Sequence, residues 1–190
     1  IQDAVLRLEG NDWLLLQNET NGIAEAIELA AQEEKKVAIN IAPADERMFD
    51  YPLSKVALLI VNELEAMALS SQPSPKLAFD WLINAYTEID IVLTLGEEGV
   101  WFYRAKDSVR KGMGSFNIVA ADETAAGDSF IGYLMAMLVA GKDLHESITL
   151  ASAAGALATT KAGAVDSIPS LDAVKTLAGC LLYTSDAADE

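Results

Sequence analysis

The run Asp122-Glu123-Thr124-Ala125-Ala126-Gly127-Asp128-Ser129-Phe130 puts small residues, a glycine and a carboxylate directly before an apolar, helix-spaced series: Phe130, Ile131, Leu134, Met137 and Leu138. This spacing predicts a tight loop feeding a helix N-terminus. Such a terminus has free N–H groups and a positive dipole end, which together hold an anion. The Ala125-Ala126-Gly127 stretch lets a phosphate reach the backbone without meeting a side chain. Asp128 then stands as a carboxylate beside an anion site, the arrangement of a general base that activates a hydroxyl for phosphoryl transfer. The same aspartate is equally an ordinary helix cap and dipole partner.

The elements that must position this loop alternate. Trp13–Gln17, Val37–Ile41, Val56–Val61 and Ile89–Leu95 are short apolar runs that read as strands. Helical patterns lie between them, one capped by Asn21, one starting at Asn62 and reaching about Leu69, one from about Lys76 to Tyr86. Continuously apolar strands separated by helices argue for an α/β fold with a parallel sheet covered on both faces. After Gly96 the rhythm changes. Val100–Tyr103, a segment near Val109, and Phe116–Val119 read as short antiparallel strands. Helices are expected at about Gly127–Ala140, Leu144–Thr160 and Leu171–Leu177, with the alanine-rich run Ala151–Ala158 packing closely.

The chain has 190 residues, 52% of them hydrophobic, which suffices for one sizeable core. A formal net charge of −16 argues against nucleic-acid binding and against an anionic membrane surface. A nucleotide remains compatible, because its site is local and metal-neutralised. Cys180 is the sole cysteine, which excludes an internal disulfide. His145 is the sole histidine and reads as a solvated turn residue. No apolar run approaches the ~20 residues of a membrane span, so a cytoplasmic protein is expected. The last eleven residues, 180–190, break the amphipathic pattern and are expected to be a non-native or disordered tail.

Five motifs in order over residues 1–179 resemble the C-terminal part of the ribokinase (pfkB-type carbohydrate kinase) family. They are Asn62-x-x-Glu65, Thr94-Leu95-Gly96-Glu97-Glu98-Gly99, Asp122 to Asp128, Ala162-Gly163-Ala164 with Ser167-Ile168-Pro169, and the pair Gln17-Asn18-Glu19 and Asn40-Ile41-Ala42-Pro43. The resemblance implies a ribokinase-like α/β fold, mostly parallel, with the N-terminal part and lid missing. It implies an ATP-dependent sugar kinase acting on a hydroxymethyl group, D-ribose giving ribose 5-phosphate. Kinases of nucleosides, fructose or ketodeoxygluconate are alternatives, as is a non-catalytic nucleotide-binding fragment.

The roles implied by the resemblance are these. Asp128 is the base, and Ala125, Ala126 and Gly127 with it form the anion hole. Asn62, Thr94, Gly96, Gly99 and Ser152 contact the nucleotide, and Glu65 holds Mg2+ through water. Asp122, Thr124, Thr159, Ala162, Ala164 and Ser167 surround a monovalent cation, K+. Glu19, with Asp128, contacts the sugar. The full-length protein is expected to be a homodimer. Each residue has a plainer reading. Asn62 and Glu65 have the spacing of a capping box. Thr94 and Gly96 suit a β-turn, and Glu19 suits a solvated loop. Glu123 stands where the family has threonine and is expected to point outward.

Overall fold

Leu58-Leu59-Ile60-Val61 carries no polar side chain to offer water, and it lies at the centre of a six-stranded sheet. The computed structural model describes residues 1–185, with side chains through Gly179. It divides into two units, Ile1–Gly114 and Ser115–Glu190.

The first unit opens with the short α1 (Gln2–Leu6) and holds the whole sheet, in the order β1 (Trp13–Gln17), β2 (Lys36–Asn40), β3 (Leu58–Asn62), β4 (Asp90–Thr94), β5 (Val100–Arg104) and β6 (Val109–Met113). β1 to β4 run parallel, and β5 and β6 are antiparallel additions. α2 (Ile23–Gln32) makes the first crossover, and α3 (Glu63–Ser70) with α4 (Pro75–Ala85) makes the third. Between β2 and β3 the chain uses short 3-10 turns at Glu46–Asp50 and Leu53–Lys55. The apolar stripes Ile23, Ile27 and Ala30 of α2, Ala66 and Leu69 of α3, and Ala78, Phe79 and Leu82 of α4 pack with Val37, Ile39, Leu59, Val61, Ile91 and Leu93 of the strands. Truncating Phe79 or Leu82, both fully buried, to alanine would cost about 2–5 kcal/mol.

The second unit contains α5 (Ala126–Val139), α6 (Leu144–Ala158) and α7 (Leu171–Ser185). Ala151, Ala153, Ala154 and Ala158 are fully buried. At Gly155 of α6, a Cβ would stand 3.1 Å from the Ala126 carbonyl oxygen, so the start of α5 sits directly on a bare stretch of α6.

Some expected details change. Asn21 does not cap α2; Gly22, at φ 77°, takes that position in the left-handed region without a side-chain bond. Phe116–Val119 forms no strand. Its apolar residues serve the helical core instead, where Phe116 packs with Leu150, Ala153, Ala154 and Val174. α7 continues past Leu177 to Ser185. The expected tail, 180–190, falls otherwise on residues outside those described. Among the described residues no helix is long and apolar enough to cross a membrane.

Candidate active site

Parallel strands in register carry their C-terminal ends to one edge of the sheet, where open α/β folds bind ligands. Gln17 stands opposite Asn40, and Asn62 opposite Thr94. The expected residues of the first unit therefore line one edge: Glu19 just past β1, Asn62 and Glu65 where β3 becomes α3, and Thr94 and Gly96 where β4 ends.

Asn62 and Glu65 form a complete capping box. The Asn62 side-chain oxygen accepts the Glu65 N–H at 2.8 Å. In return the two Glu65 carboxylate oxygens accept from the Asn62 N–H and from its Nδ2, each at 2.9 Å. Glu65 is buried, and burial pushes its carboxyl above the usual range, opposed by the Asn62 N–H. The plain and the chemical reading meet here. Each carboxylate oxygen keeps one lone pair, which leaves it able to accept from a water on a hydrated Mg2+.

The turn after β4 gives its two glycines different jobs. Gly96, at φ 55°, is exposed, with open space where a Cβ would project. Gly99, at φ 101°, is buried, and a Cβ there would stand 2.1 Å from the Met113 carbonyl oxygen. Backbone packing alone accounts for Gly99. Glu19 is exposed.

In the second unit the loop before α5 leaves its helix uncapped by any side chain. Ala125 takes the N-cap position in the left-handed region, at φ 64°. The Ala126 N–H turns back to the Glu123 carbonyl at 3.2 Å, and the Ser129 N–H to that of Ala125 at 2.9 Å. Among the described residues the N–H groups of Ala125, Gly127 and Asp128 have no partner. Of the four expected donors, Ala126 is thus already engaged. Gly127 and Asp128 are exposed, as is Glu123.

Asp122 latches this loop. Its Oδ1 accepts the Thr124 N–H at 2.9 Å, and its Oδ2 accepts the Gly163 N–H at 3.0 Å. The Thr124 hydroxyl first, then these two N–H groups, lower its carboxyl to about 2. The Thr159 carbonyl accepts two N–H groups, Ala121 at 2.7 Å and Asp122 at 3.0 Å. Both lone pairs of that carbonyl are thus used, while the Thr159 hydroxyl donates to the Ala156 carbonyl at 2.7 Å. The Ala164 carbonyl accepts the Ser167 hydroxyl at 2.9 Å. The Ser152 hydroxyl is enclosed with no partner among the described residues.

Sequence reasoning missed one cluster. Asn18, fully buried, donates from Nδ2 to the Pro43 carbonyl at 2.6 Å and accepts from the Tyr51 hydroxyl. Arg47 pairs with Asp45 and reaches the main chain on either side of Glu19. The one available signal was an aspartate two residues before an arginine in the loop that follows an apolar strand.

Residues 2–171 match the family described as pfkB family carbohydrate kinase. The chain is 33% identical over 178 residues to the ribokinase of Haemophilus influenzae, a match covering 89% of this chain and 56% of that protein. It is similar to the solved ribokinase of Thermotoga maritima at 30% identity and a TM-score of 0.72, over 87% of this chain and 56% of that one. It shares its fold with Arabidopsis thaliana ribokinase complexed with ribose and ATP, at 21% identity and a TM-score of 0.79, over 87% and 55% of the two chains. The chain thus spans little more than half the length of these relatives.

Proposed function

The chain belongs to the pfkB family of carbohydrate kinases, and from that premise we propose that it takes part in ATP-dependent phosphorylation of a sugar hydroxymethyl group, with D-ribose as acceptor and ribose 5-phosphate as product. The observation that carries this reading is the uncapped start of α5, where Asp128 stands among three unpartnered N–H groups. The Asp128 carboxylate takes the hydroxyl proton as the sugar oxygen bonds to the γ-phosphorus. The bond from that phosphorus to the bridging oxygen breaks, and ADP leaves. The N–H groups of Ala125, Gly127 and Asp128 face the charge on the transferring phosphoryl oxygens. Ala126 contributes its small size, which keeps the approach open.

Glu19 accepts a hydrogen bond from a sugar hydroxyl. Asn62, Thr94, Gly96 and Ser152 contact the nucleotide, with Gly96 offering bare backbone. Mg2+ neutralises phosphate charge when bound, and Glu65, oriented by Asn62, holds its water. K+ is proposed at the turn that Asp122 ties down, with carbonyls other than that of Thr159, and it enters no step. The sugar preference follows the named relatives, a ribokinase among them with ribose and ATP bound.

Asp128→Asn tests the base. Its kcat for phosphate transfer to D-ribose is expected to fall on the order of 10²–10⁴-fold while ATP still binds. A normal kcat overturns the assignment. A panel of ribose, fructose, a nucleoside and ketodeoxygluconate ranks the acceptors. A second reading is nucleotide binding without turnover. Calorimetry that finds ATP·Mg2+ binding with no phosphate transfer supports it.

A further inference from the structure

We propose that Arg47 is a positioning residue that aims the Glu19 carboxylate by gripping the main chain on both sides of it. The inference rests on the reading of Glu19 as a sugar contact. Arg47 donates from Nη2 to the Asn18 carbonyl at 2.8 Å and from Nη1 to the Thr20 carbonyl at 3.4 Å. Glu19 and the Thr20 Cα lie between those carbonyls. The first carbonyl belongs to the peptide group that enters Glu19 and the second to the one that leaves Thr20, so the two bonds bracket the Glu19–Thr20 backbone and restrict the direction in which the Glu19 Cα–Cβ bond leaves the chain.

The guanidinium is itself held. Its Nε lies 3.1 and 3.0 Å from the two Asp45 oxygens, and its Nη2 lies 2.7 Å from Oδ2. Arg47 hydrogen bonds, the side-chain one foremost, keep the Asp45 carboxyl lowered to about 2, so the pair stays charged across the neutral range. The Asn18 side chain anchors the same segment to Pro43 and Tyr51, and the Asn18 N–H reaches the Ala42 carbonyl at 3.1 Å.

An exposed ion pair of this kind adds little stability. The side chains of Arg47 and Asp45 are 47% and 39% exposed. What the arrangement provides is geometry: a planar fork reaches two carbonyls at once, which a lysine ammonium on a flexible stem does not reproduce.

The test uses this chain and the variants Arg47→Met, Arg47→Lys, Glu19→Gln and Glu19→Gln/Arg47→Met. D-ribose and ATP·Mg2+ affinities are measured by calorimetry, and amide hydrogen exchange is followed over residues 18–20. Arg47→Met is expected to weaken ribose on the order of 10-fold, to leave ATP affinity in place, and to speed exchange over that segment. Arg47→Lys should recover little of the ribose affinity. In the Glu19→Gln background the Arg47→Met effect on ribose should vanish, since the arginine acts through the glutamate. Unchanged ribose affinity in Arg47→Met overturns the proposal, even with faster exchange. So does a ribose loss that persists at full size without the glutamate, or an equal loss for ATP. A parent chain that binds no ribose overturns the sugar reading of Glu19, and this proposal with it; ribose binding by the parent that Arg47→Met leaves intact overturns this proposal alone.

Discussion

Asp122 shows how much a single carboxylate can organise. Its two oxygens hold N–H groups 2 and 41 residues away, so one side chain ties the loop before α5 to the turn after α6. A carboxyl lowered to about 2 in the fold and near 3.8 when unfolded stabilises the native state above 3.8. That contribution is lost as pH falls from about 3.8 through about 2. Asp122→Asn should therefore flatten the pH dependence of stability across this window, as read by thermal melts between pH 2 and 5. An unaltered profile would show that the latch carries no linkage. The nearer bond, to Thr124, is a spacing that sequence reveals, while the Gly163 contact lies beyond any local rule. Asn62 and Glu65 were more legible. Three residues of separation predicted the capping box, and the box is what the structure holds. The close backbone approach at Gly99 was not legible, because a glycine needed for packing looks, in sequence, like one that greets a ligand.

At the scale of elements, strand and helix alternation was readable because the strands are uninterrupted apolar runs and the helices carry apolar stripes. The end of the sheet was not. Phe116–Val119 has the composition of a strand, but composition does not say whether apolar side chains face a sheet or a helix pair, and here Phe116 joins the helices. The Asp45–Arg47 cluster escaped notice because loop hydrogen bonds follow no period. The close approach of α5 and α6 was legible in the alanine-rich run, and it yields a prediction. At Gly155 the Ala126 carbonyl already stands 3.1 Å from where a Cβ would be. Gly155→Val should overpack that contact and destabilise by about 1–3 kcal/mol. For a chain of this size that lowers Tm by about 2–4 °C per kcal/mol. Scanning calorimetry checks it, and a Tm equal to the parent's would mean that the helices part without cost. Because Ala126 begins α5, the same variant displaces the donors around Asp128.

For the molecule as a whole, class and charge were plain from the start: an α/β chain, 52% hydrophobic, with a net charge of −16. Parallel strands then dictated where chemistry could sit, since they deliver their C-terminal ends together. The proposed acceptor sugar was the least legible property, because the sequence gives it only a loop residue, Glu19, whose plainer reading is a solvated carboxylate. One feature of α5 reaches across every scale. A helix that supplies no lid of its own for its first turn would, under the proposed function, be completed by a negative guest. Occupancy and thermal endurance are then one equilibrium, because a guest that binds only the native form raises stability by about 2.7 kcal/mol at 100 times its Kd. Melting curves recorded with rising ATP·Mg2+ should climb, and a flat series would sink the idea. The nucleotide would be a missing piece of the architecture as well as a reactant.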